Sequence, residues 1–162
     1  MAKRTTLIRG GHLVDPSQNI DAPHDILIEN GKISDIAKKG SQTGVPVGAT
    51  VIDATGLHVL PGLIDGRVYV GEPGDEYRET ISSASIAAAA GGITSFIMMP
   101  QTNPVIDDVS LVEFVCRAAR DTAVVNDYPS AAITRGFEGN VLSEFGLLNQ
   151  AGALMLTEAK HT

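Results

Sequence analysis

The stretch V-L-P-G-L-I-D-G-R-V-Y-V-G-E-P-G-D, Val59 to Asp75, decides how the rest of the chain is read. Its opening, Val59 to Ile64, has the composition of a fully buried strand, interrupted only by Pro61-Gly62. Asp65 ends the apolar run, and Glu72-Pro73-Gly74 is a strong turn signal before helical patterning resumes. A polar cluster at the end of a buried strand is where α/β enzymes keep their chemistry. The strand is expected at Leu60 to Ile64.

Toward the C-terminus the period becomes an alternation of strand and helix, the signature of a parallel sheet. A helix is expected over Asp75–Ala90, with Ile81, Ala84 and Ala88 on one stripe and Gly91-Gly92 stopping it. Because that glycine pair precedes a strand and not a helix, it is no phosphate loop. Ile93 to Met99 reads as a buried strand closed by Pro100. Ser110-x-x-Glu113 is a capping-box pattern opening a helix to Arg120, with Leu111, Phe114, Val115 and Ala118 facing inward. Ala123 to Asn126 reads as a third strand and Ala153 to Thr157 as a fourth. Between them Val141, Leu142, Phe145 and Leu148 have helical spacing. Four such strands should lie parallel and adjacent in order, with Ile97, Val125 and Met155 facing inward.

Toward the N-terminus, residues 5–58 read as short strands. Leu7-Ile8 and Leu13-Val14 flank Gly10-Gly11, and Asp15-Pro16-Ser17 makes a turn. Asp25–Glu29 and Lys32–Ile36 alternate around Asn30-Gly31, the strongest hairpin signal in the chain. Lys38–Gly48 is a polar loop, followed by strands at Val51–Asp53 and Leu57–Leu60. The expected organisation is a β-rich lobe over residues 1–59 and barrel-like βα units over 60–162. Four strands and three helices are about half of an eight-fold barrel, which needs ~250 residues. The expectation is therefore a fragment with two open strand edges; a self-contained open α/β sheet is the alternative.

Composition narrows the class. With 162 residues, 43% of them hydrophobic and 19% charged, the chain can bury an ordinary core. A formal net charge of -7 without blocks of like charge argues against nucleic acid or an anionic membrane as partner. Lys3 and Arg4 are followed by no apolar segment of signal-peptide type, and no run reaches membrane-spanning length. The single cysteine, Cys116, fits a reducing cytoplasm and reads as a core thiol on a helix.

Several motifs, in order, carry a family resemblance. Pro61-Gly62-Leu63-Ile64-Asp65, then Glu72-Pro73-Gly74, are similar to the first barrel strand of the amidohydrolase superfamily, and within it of the dihydroorotases. Ala88-Ala89-Ala90-Gly91-Gly92-Ile93-Thr94-Ser95, Met99-Pro100-Gln101-Thr102-Asn103-Pro104, and Ala151-Gly152-Ala153 to Thr157 resemble later dihydroorotase segments. The resemblance implies a TIM-like (β/α)8 barrel preceded by a β-rich lobe, zinc held by paired histidines on strand one, and hydrolysis or closure of the dihydroorotate amide in pyrimidine biosynthesis. Such zinc would acidify a bound water.

At the positions that matter the chain departs from this pattern. By the resemblance, the two metal histidines fall on Arg67 and Tyr69, and the substrate arginine and asparagine on Gly71 and Gln101. The strand-four aspartates fall on Glu158 and Ala159. Guanidinium offers only donors, and a phenol ligates only once ionised, with an ordinary pKa of about 10. Lys160 lies beyond the strand end that a carbamylated lysine would occupy. His12, His24, His58 and His161 all lie outside the motif and read as surface or structural residues. Asp65 remains, and Arg67 could pair with it or with Glu158, filling the volume left by the metal and its water. No zinc or other cofactor is expected at these positions.

The leading expectation is a pseudoenzyme: a dihydroorotase-like chain that assembles with aspartate carbamoyltransferase and forms homo-oligomers. Two rivals are an active cyclic amidohydrolase using ligands beyond residue 162, and an anion-binding regulatory module built on Arg67 and Gln101.

Overall fold

Residues 5–41 and 44–159 are described by a computed structural model of the chain. Two units form, divided between Pro61 and Gly62. In the first, strand β1 (Thr5–Asp15) pairs antiparallel with β2 (Ile20–Glu29), which pairs with β3 (Lys32–Lys38). Strands β4 (Thr50–Asp53) and β5 (His58–Val59) both run parallel to β1. Leu7, Leu13, Ile26 and Ala54 form its buried centre. The Asn30-Gly31 hairpin is as expected: both residues have positive φ, 53° and 78°, the conformation a two-residue turn needs between right-twisted strands.

Gly10-Gly11 does not separate two strands. It is a bulge within β1, where the register slips between Ile8 and Gly11. Gly10 has φ 73° and donates its N–H to Asp25 Oδ1 at 2.7 Å, while Gly40 N–H reaches Asp25 Oδ2 at 3.2 Å. A buried carboxylate thus satisfies the backbone group that the bulge leaves unpaired.

The second unit is a four-stranded parallel sheet in the order β6 (Leu63–Val68), β7 (Ile93–Met98), β8 (Asn126–Ala132), β9 (Met155–Thr157). Helices α1 (Ile81–Ala90), α2 (Val109–Thr122) and α3 (Phe145–Ala151) connect them in turn. Phe96, Met98, Ile106, Val112, Val115, Ile81 and Leu148 are almost fully enclosed and make the core between strands and helices. The parallel order is the expected one; several boundaries are not.

The first strand begins at Leu63, not Leu60, and runs on to Val68. Pro61 has no N–H for a ladder, and Gly62 lies so close to Thr94 that a Cβ would collide with it. Pairing starts where Leu63 N–H reaches Gly92 O at 3.2 Å. The expected helix from Asp75 forms only from Ile81. Thr80 and Ser83 cap it reciprocally, and Glu72 Oε2 accepts the Ile81 N–H at 2.9 Å. Residues 71–80 are turns instead.

The Ser110-Glu113 box does not open α2. Asp108 is the N-cap, accepting from Leu111 N–H at 3.0 Å and from Ser110 Oγ at 2.7 Å. The buried stripe of α2 is Val112, Val115 and Ala119, with Leu111, Phe114 and Ala118 half-buried beside it. Strand three lies at Asn126–Ala132, beyond the expected Ala123–Asn126, and Val125 precedes it. Pro129 sits inside this central strand, where a proline normally argues against one. Its carbonyl faces β9 and accepts Leu154 N–H at 2.9 Å. The missing N–H would face the same side, one residue before the β9 ladder opens at Ser130–Met155, so no ladder bond is lost. Finally, Val141 and Leu142 are exposed and non-helical, α3 starts at Phe145, and strand four starts at Met155, where expectation placed Ala153.

Candidate functional site

Alternation along β6 and the residue after it brings Asp65, Arg67 and Tyr69 into one group. Arg67 donates through Nε and Nη2 to Tyr69 Oη, at 3.0 and 2.8 Å, with its guanidinium carbon 5.6 Å from the ring centre. Asp65 Oδ1 accepts the Arg67 backbone N–H at 2.9 Å. The guanidinium therefore binds the phenol, and among the described residues no ion pair joins it to Asp65 or Glu158, contrary to one expectation from sequence. Glu158 instead accepts from Thr134, through the backbone N–H at 3.1 Å and the hydroxyl. Ala159, with φ 55°, follows it and donates its N–H to Thr157 Oγ1 at 3.0 Å.

Gly71 carries no side chain for a structural reason. A Cβ there would strike the backbone carbonyls of Asp75 and Glu79, because Asp75 N–H closes a tight turn onto Gly71 O at 2.6 Å. An arginine at this position would need the turn rebuilt. The two recognisable loops dock on each other: Asn103 N–H reaches Pro73 O at 3.1 Å, and Gly74, φ 104°, leaves room for the Asn103 carbonyl. Met99 N–H bonds Val68 O at 2.8 Å, fixing the second loop to the end of β6. Gln101 shares with Tyr69, Val70, Gly71, Asp75, Arg78 and Glu79 a cavity of about 570 Å³. Its Oε1 is enclosed and finds no hydrogen-bond partner among the described residues.

The donor set does not fit zinc. Arg67 stays protonated, Tyr69 Oη already accepts two guanidinium N–H bonds, and Ala159 offers no ligand atom. Among the described residues no three His, Cys, Asp or Glu side chains gather in a way that could hold a metal. His12, His24 and His58 lie in the first unit; His161 and Lys160 fall outside the described residues. No step can be routed through a metal at Arg67 and Tyr69.

One titratable group went unread in the sequence. Asp127, in the central strand β8, has both carboxylate oxygens enclosed and without partners among the described residues. Burial, and secondarily the negative charge of Glu72, push its pKa up to about 7. Flanked by Asn126, Tyr128, Pro129 and Ser130, it carries no local sequence signal of burial. Cys116 is half-buried, its Sγ 3.8 Å from Ala151 O, and burial raises its pKa, which suits a packed thiol and not a nucleophile. No helix among the described residues is long and apolar enough to cross a membrane.

Solved structures define the class. L-hydantoinase (dihydropyrimidinase) from Arthrobacter aurescens superposes with TM-score 0.78 at 25% identity, covering 93% of this chain and 32% of that one. A D-hydantoinase superposes with TM-score 0.68 at 23% identity, covering 94% and 39%. The four βα strands and their preceding lobe are thus the fold of the amidohydrolase superfamily, part of its TIM-like barrel. Residues 56–162 match the dihydro-orotase-like family, and the chain belongs to it. The dihydroorotases of Syntrophus aciditrophicus (strain SB) and Geobacter sulfurreducens are each 44% identical to it over 152 residues. These matches take in 94% of this chain, which spans about 35% of the length of those relatives.

Proposed function

We propose that the protein is a dihydroorotase-like component of cytoplasmic pyrimidine biosynthesis whose metal site is degenerate, and that it serves as a non-catalytic partner of aspartate carbamoyltransferase, itself homo-oligomeric. The observation that supports this reading is the Arg67–Tyr69 pair. A cation and a phenol bonded to each other stand where the family resemblance puts two neutral imidazoles. The Gly71 turn and Ala159 add to it, since neither can supply the substrate or metal contact that the resemblance assigns there. Gly74 and Pro73, which dock the two loops on each other, stand beside the altered positions.

The test is direct. The longest natural form of the protein, assayed in both directions between carbamoyl aspartate and dihydroorotate with zinc supplied, should show no turnover above the uncatalysed rate. Mixed with the aspartate carbamoyltransferase of the same cell, it should migrate as one complex in size-exclusion chromatography. Turnover abolished by a chelator would sink the non-catalytic reading, and separate elution would sink the assembly role.

A further inference from the structure

We infer that Asn30, at the tip of the β2–β3 hairpin, is a site of spontaneous covalent modification: deamidation to aspartate and isoaspartate. The reaction asks three things of the chain: an asparagine, a following residue without a side chain, and a following amide nitrogen not already engaged. Asn30-Gly31 supplies all three. Ile20, Pro104, Asp127, Val141 and Gln150 follow the other asparagines, so only at Gly31 is the attacking nitrogen unscreened by a Cβ. Both turn residues are exposed, and the space a Gly31 Cβ would enter is empty to 4 Å. Among the described residues nothing accepts a hydrogen bond from the Gly31 N–H.

The step balances with water alone. Gly31 N gives up its proton to hydroxide and attacks Asn30 Cγ; the Cγ–Nδ2 bond breaks, ammonia leaves, and a five-membered succinimide remains. Water then opens the ring. Opening at Cγ leaves an ordinary aspartate, whereas opening at the Asn30 carbonyl carbon leaves an isoaspartate, in which the chain runs on through the side-chain carbonyl. Nothing is oxidised or reduced. Ring closure requires Asn30 to leave its left-handed conformation, φ 53°, and exposed hairpin tips are segments that open locally at low cost. Either product puts a carboxylate where an amide stood. Isoaspartate also adds a methylene to the main chain of a two-residue turn. Glu29 and Lys32 face each other across that turn, so the extra atom strains the closing pair of β2 and β3. Among the described residues β3 pairs with no other strand, which makes it the element to loosen.

Incubation of the full-length protein at pH 6 and at pH 9, followed by mass spectrometry with peptide fragmentation, tests the site. The mass gain of NH2 replaced by OH should fall on Asn30 before any other asparagine. It should grow faster at pH 9, because the attacking nitrogen is the deprotonated one, and ammonia should appear in matching amount. Gly31→Ala should slow the gain about tenfold or more, since a Cβ then crowds that nitrogen. Alanine is strained at φ 78°, so Asn30→Gln serves as the second variant. Its closure would need a six-membered ring, and the gain at residue 30 should vanish. In the isoaspartate fraction the Ile33 amide should exchange with deuterium faster than in the parent. No gain at Asn30 at pH 9, or a gain spread evenly over the asparagines, would overturn the proposal.

Discussion

A carboxylate enclosed in a sheet without donors holds its proton more tightly than a solvated one, and Asp127 does so. Its folded pKa, about 7, lies above the ordinary 3.8, so the folded chain binds the proton more tightly than the unfolded one. Asp127 therefore costs nothing below pH ~4 and destabilises progressively as pH rises to about 7, by up to ~4 kcal/mol. Asp127→Asn should leave urea unfolding nearly unchanged at pH 4 and stabilise the protein clearly at pH 8; an equal effect at both pH values would refute this account. At the mouth, the double change Arg67→His, Tyr69→His should restore neither tight zinc nor turnover, because Gly71 and Ala159 remain. Elemental analysis of the purified variant would expose the opposite result as one zinc per chain. At this scale Arg67, Tyr69, Gly71, Gln101, Glu158 and Ala159 could be picked out from sequence because they stand inside or beside recognisable motifs. Asp127 stayed hidden because burial is set by which strand becomes central, and the third strand was placed too early to contain it.

Elements were easier to name than to delimit. Capping is the clearest case: Ser110-x-x-Glu113 has the letters of a box, but Asp108 has the geometry, and a carboxylate two residues earlier outbid the hydroxyl. Asp108→Ala should cost about 1 kcal/mol of stability, the usual loss for a helix cap, while Glu113→Ala should cost far less. Hydrogen bonds from Ser110, then Leu111, hold the Asp108 carboxyl below its ordinary pKa. That contribution is present above pH ~4 and fades as pH falls through the lowered folded value, so the Asp108→Ala difference should shrink in acid. Comparing the two variants by denaturant unfolding at pH 7 and pH 3 checks both statements. Strand β8 was placed too early, at Ala123–Asn126; its true span, Asn126–Ala132, contains Pro129, whose missing N–H falls just outside the next ladder. Helix α1 was read too long: Glu72 reaches Ile81 N–H from nine residues away, and no local pattern reports that bond.

Over the whole chain, the alternation of periods was enough to anticipate a four-stranded parallel sheet in sequential order. Among the described residues, strands β6 and β9 each pair with one neighbour, and Leu63, Ile64 and Leu154 in or beside them are more than half exposed. Open backbone groups next to apolar side chains seek another edge. The 162-residue chain by itself should therefore sediment at micromolar concentration as a species larger than its 16.9 kDa. A clean monomer with cooperative unfolding would show that the edges are harmless. The sheet is also held by a tie that no strand or helix contains. The enclosed hydroxyl of Ser85, on α1, donates to Ser82 O at 2.7 Å and accepts the Val124 N–H at 3.1 Å, across 39 residues. Val124 lies outside every strand, with a largely exposed side chain. Its amide proton should nonetheless trade with deuterium as slowly as those of the sheet, and speed up only when α1 lifts from β8. One peptide hydrogen in a connecting segment thus serves as a clock for the integrity of the barrel unit.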